Sequence, residues 1–76
     1  MNTTSNMTTL VISEYKLMYF FGTWVTKEVL YAESNAEAIH DADEVFNNSD
    51  LANWQYGVAL FKEGKNTPVK VYKPNK

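Results

Sequence analysis

Glu37-Ala38-Ile39-His40 sets a carboxylate and the chain's one imidazole three residues apart, and Glu44 follows four residues later. On a helix these side chains share a ridge, with the Glu-x-x-His spacing by which carboxylate-bridged di-metal bundles hold their ions. Such bundles need several helices aiming ligands inward. This chain offers one helical segment, and its Glu/His ridge lies opposite its apolar stripe. The pattern therefore reads as a solvated helix face, and neither a metal nor another cofactor is expected. Nucleophilic catalysis also lacks its parts. There is no cysteine, only three glycines (Gly22, Gly57, Gly64), and no nucleophile elbow around any serine. A non-catalytic protein is expected.

Charge is segregated along the chain. From Glu28 to Phe61 there are seven carboxylates and no lysine or arginine, whereas from Lys62 onward five lysines face one carboxylate, Glu63, so that the tail is +4 within a net charge of −2. Arginine is absent, and with it the fork that reads guanine and clamps phosphate. Aromatics flanked by lysines can stack single-stranded bases. The net negative charge and the acidic segment oppose that use, so nucleic acid is not the expected partner and weak single-stranded binding through the sheet aromatics stands only as an alternative.

At 76 residues the chain is one small domain with a modest core, which favours self-association. A content of 45% apolar and 14% aromatic residues is too high for disorder, and the longest apolar run, Leu17 to Phe21, is too short to span a bilayer. The cysteine-free composition points to a cytoplasmic location without membrane attachment. Residues 1–9, polar and uncharged, read as a flexible leader before a single domain over 10–76.

The elements follow from periodicity. Val11, Tyr15, Leu17, Tyr19 and Phe21 alternate with Glu14 and Lys16, which predicts a strand over Leu10 to Phe21. "TWVTKEVLYA" resumes with residues suited to a pleated surface after Gly22, completing a hairpin. Its turn is either tight around Phe21-Gly22 or a wider loop reaching Lys27, so the face that carries Trp24 stays open. Ser34 with Glu37 forms a capping-box pattern, followed by Ala38, Ile39, Ala42, Val45 and Phe46 at helical spacing. "NNSD" ends the helix. "WQYGVALFKEG" predicts a third strand, with Trp54, Tyr56, Val58 and Leu60 on one face. "TPVKVYK" predicts a fourth, with Val69 and Val71 on one face, Lys70 and Tyr72 on the other, and Pro68 at an edge.

The stretch "VLYAESNAEAIHDADEVF" resembles small phage, plasmid and bacterial proteins of the DpnD/PcfM-like kind, through Ala32, Glu33, Ser34, Glu37, Ala38, Ile39 and Ala42. The resemblance covers residues 29–46 and implies an origin more than an activity.

The expected architecture is α+β in the order ββαββ, a four-stranded antiparallel sheet with one helix packed on one face. Ile39, Ala42, Val45 and Phe46 are expected to be buried against Leu17, Val58 and Leu60. One helix cannot cover every aromatic side chain, so some face solvent or a partner. The expected function is that of a self-associating or protein-interaction module, with a homodimer as the expected assembly. Its candidate interaction residues are Trp24, Trp54 and Tyr56, together with Glu37, Asp41, Asp43 and Glu44. The acidic four offer an alternative use, docking a basic protein surface as a nucleic-acid mimic. Asp43 and Glu44 lie near the helix C-terminus, where negative charge is unfavourable. A lysine-rich last hairpin lying beside the helix would relieve that.

Overall fold

The computed structural model describes residues 11–75. The segment read as a leader and Leu10, at the expected start of the first strand, lie outside the described residues. The elements are β1 (Ser13–Phe20), β2 (Trp24–Ala32), α1 (Asn35–Asn47), a 3₁₀ turn (Asp50–Asn53), β3 (Val58–Lys62) and β4 (Lys70–Lys73). The four strands form one antiparallel sheet in the order β2-β1-β3-β4. This is the expected α+β arrangement. Because β2 and β3 both run antiparallel to β1, they run parallel to each other, and α1 is the crossover of a split β-α-β unit. No described helix is long and apolar enough to cross a membrane.

The first hairpin closes tightly. Phe20 pairs with Trp24, the Phe21 N–H donates to the Thr23 carbonyl at 2.8 Å, and Gly22 supplies the left-handed φ of +77°. Phe21 sits in that turn and is exposed, although alternation placed it on the apolar stripe. A β-bulge then decides which side chains face where. Leu17 pairs with Glu28 but Met18 with Thr26, which leaves Lys27 as the extra residue. The bulge switches the parity of β2, so Trp24 and Thr26 share a face with Val29 and Tyr31.

On the other face, Tyr15, Leu17, Val58 and Leu60 are buried beneath the helix. Ala38 and Ala42 form the fully buried centre of α1, while Ile39, Val45 and Phe46 are half-buried at its flanks, less covered than expected. The physical reason is size. Small side chains let the helix lie close to the sheet, and the larger ones splay to either side. The Tyr15 hydroxyl, at the bottom of this layer, donates to Asn35 Oδ1 at 2.7 Å. The cap forms as predicted from Ser34, whose Oγ accepts from the Glu37 N–H at 3.2 Å. The Glu37 carboxylate reaches the Glu33 N–H at 2.7 Å, one residue before the cap.

The second half departs from simple alternation. Trp54 to Gly57 precede β3 rather than belonging to it, and Leu51 of the 3₁₀ turn enters the core. The Trp54 indole N–H donates to the Phe20 carbonyl at 3.0 Å, which ties this approach segment to the end of β1. Val69 and Val71 do not share a surface. Val69 precedes β4 and packs on the core, whereas Val71 is exposed on the opposite face. Val69 lies before Lys70, the first paired residue of β4, so the alternation of the ladder does not reach it, and a second bulge, with Tyr72 extra between the Val58–Lys73 and Ala59–Val71 pairs, follows Val71.

Candidate functional site on the helix-free sheet face

The sheet has one face sealed by α1 and one face that no helix covers. Strand register sets the open face in cross-strand rows. Val29, Lys16 and Phe61 form one row, Thr26, Met18, Ala59 and Val71 the next, and Trp24 with Phe20 the last. Trp24 meets Phe20 and Phe61 edge-on, with ring centroids 5.5 Å away in each case. Gly57 makes room for it, since a Cβ there would lie 2.9 Å from Trp24 Cη2. Between Met18, Trp24, Phe61 and Val71 runs an apolar groove of about 570 Å³. It is open to solvent along its length, unlike a small-molecule pocket that encloses most of its ligand.

Four lysines border the groove against one carboxylate, Glu63. They are not equally available. Lys73 donates to the Ala52 carbonyl at 3.0 Å, and the Lys62 ammonium lies 6.0 Å from the centre of the Tyr15 ring. Lys16 stands 4.0 Å from Glu14, while Lys65 in the β3–β4 turn makes no salt bridge among the described residues. Phe20, Trp24 and Phe61 thus meet edge to face rather than stacked on one another.

The candidate residues named from sequence divide into separate places. Trp24 lies in the groove. Trp54 lies on the helix side of the sheet, with Tyr19 and Tyr56 edge-on to it at 5.2 and 5.9 Å, so its place in the fold is structural. Tyr56 is exposed beside it. Met18, Phe61 and Val71 complete the groove and were not singled out in the sequence. The signal was present in the even positions of β1 and the odd positions of β3, but only register joins them.

The acidic residues of α1 are also dispersed in role. Glu37 serves the cap. Asp41 stands 3.5 Å from His40 Nδ1, at the exposed surface. Asp43 accepts from the Tyr72 hydroxyl at 2.6 Å and from Lys70 Nζ at 2.9 Å. Its carboxyl is held below the ordinary range by the Tyr72 hydrogen bond first and by Lys70 second. Burial, and then the same Asp43 contact, pushes the Tyr72 phenol well above its ordinary range. The last strand thus relieves the unfavourable charge near the helix C-terminus, and Asp43 is withdrawn from the acidic surface. Glu44 remains exposed. Among the described residues no three His, Asp or Glu side chains gather as a metal site.

Fold and face together define a small α+β domain with a split β-α-β crossover and an uncovered, partly apolar sheet face. Comparison with protein families, curated proteins and solved structures finds no match for this chain.

Proposed function

We propose that this protein is a non-catalytic interaction module that self-associates and presents its helix-free sheet face to a protein partner. The observation that carries this is the contrast between the two faces. One buries Leu17, Val58 and Leu60 completely, while the other leaves Val29, Tyr31 and Val71 in water beside an apolar groove. Exposed apolar surface of this kind, bordered by charge, is the usual mark of a protein contact. A groove without convergent acid, base or nucleophile offers recognition rather than turnover.

Light scattering with in-line size exclusion, at low and high salt, tests the self-association. A dimer at micromolar concentration that persists in high salt is expected, because an interface of strands and apolar side chains is little affected by screening. An 8.7 kDa monomer at every concentration overturns it.

A further inference from the structure

The two outer edges of the sheet are protected very differently. β4 is four residues long, carries Lys70 and Lys73, contains the Tyr72 bulge and follows Pro68. These are the devices by which edge strands avoid pairing with another chain. β2 is nine residues long, and its bulge at Lys27 leaves a regular run, Glu28–Ala32, along the other edge. An edge strand offers a row of backbone donors and acceptors on its outer side. On this run Val29 and Tyr31 are 40% and 63% exposed, and both point to the helix-free face.

The run is complementary to itself. Antiparallel pairing of Glu28–Ala32 with its own copy, about a two-fold axis through the central residue, sets Leu30 opposite Leu30 of the second copy. Val29 then meets Tyr31 on both sides of the axis, a β-branched residue against an aromatic one, which is a favourable cross-strand pair. Beyond the run, Lys27 lies past one end and Glu33 past the other, so each end brings opposite charges together. An isologous contact needs this self-complementarity, because each residue meets its symmetry mate's neighbour.

We infer that the outer edge of β2 is the dimer seam, paired antiparallel about Leu30, with a second copy of this chain as its occupant. The inference rests on the self-association proposed above and specifies where it occurs. The two sheets join into one continuous eight-stranded sheet. Since the axis is perpendicular to that sheet, both helices lie on one side and both grooves open on the other. A partner then meets two adjacent copies of the groove.

The absence of cysteine makes the test clean. In this register positions 29 and 31 of opposite copies face each other at the Cα separations of directly paired strands, roughly 4.5–5.5 Å, within the span of a disulfide. The double substitution Val29→Cys with Tyr31→Cys is expected to give a covalent dimer under mild oxidation, whereas Val29→Cys alone links poorly. The control Val71→Cys, on the open face away from the seam, is expected not to link. A dimer by light scattering that the double variant does not lock, or that Val71→Cys locks instead, overturns the β2 seam while self-association stands. A protein that is monomeric by scattering and unlinked in all variants overturns both.

Discussion

Lys70 of β4 places its ammonium 2.9 Å from the carboxylate of Asp43 on α1, across the layer that joins helix to sheet. Tyr72, two residues further along the same strand, donates to the same oxygen at 2.6 Å and stacks its ring on Phe46 at 4.7 Å. The basic end of the chain is thereby folded back onto its acidic middle.

This contact makes stability depend on acid. Asp43 titrates below its ordinary value of 3.8 in the folded protein. Its contribution is therefore fully present above that value and is lost as pH falls through the lowered folded value. Both partners are partly exposed, so solvent screening limits the effect to roughly 1 kcal/mol or less. Asp43→Asn is expected to flatten that part of the curve of melting temperature against pH. A slope equal to that of the unsubstituted protein excludes Asp43 as its source.

The helix start is expected to depend on Ser34. Ser34→Ala removes the acceptor of the Glu37 N–H. The loss is about 1 kcal/mol, or a fall of roughly 4–8 °C in melting temperature for a domain of this size. Thermal unfolding followed by circular dichroism reads it, and Ser34→Asp, which keeps an acceptor, is expected to retain most of the stability.

Gly57 is required by its neighbours. Gly57→Ala places a methyl group 2.9 Å from Trp24 Cη2 and 3.2 Å from the Asn75 backbone. Overpacking here is expected to cost about 1–3 kcal/mol in urea unfolding. Displacement of the Trp24 ring shifts the tryptophan emission at the same time. Unchanged stability and emission together would show that Trp24 does not pack over this glycine.

The two sheet faces are expected to answer differently to truncation. Leu17→Ala, in the fully buried layer, removes roughly 2–5 kcal/mol, a large share of what a small domain has. Val71→Ala, more than half exposed, is expected to stay within about 0.5 kcal/mol. Equal losses in denaturant melts would mean that the open face is as closely packed as the core.

Local chemistry in the sequence determined the elements and their type. Alternation in β1, the Ser34 cap and the helical spacing of Ala38 and Ala42 are properties of neighbours in the chain, so the ββαββ order and the side of α1 facing the sheet were legible. Alternation failed where an extra residue enters a strand. The bulges at Lys27 and Tyr72 reverse the parity on which face assignment depends, and neither leaves a mark in composition. Only the folded sheet therefore decided that Trp24 faces away from the helix and that Met18, Phe61 and Val71 line one groove. The same holds for charge. Acidic middle and basic tail were plain in the sequence, but whether Asp43 meets solvent or Lys70 depends on strand order. That order is set by long-range pairing between β1 and β3, which no local pattern encodes.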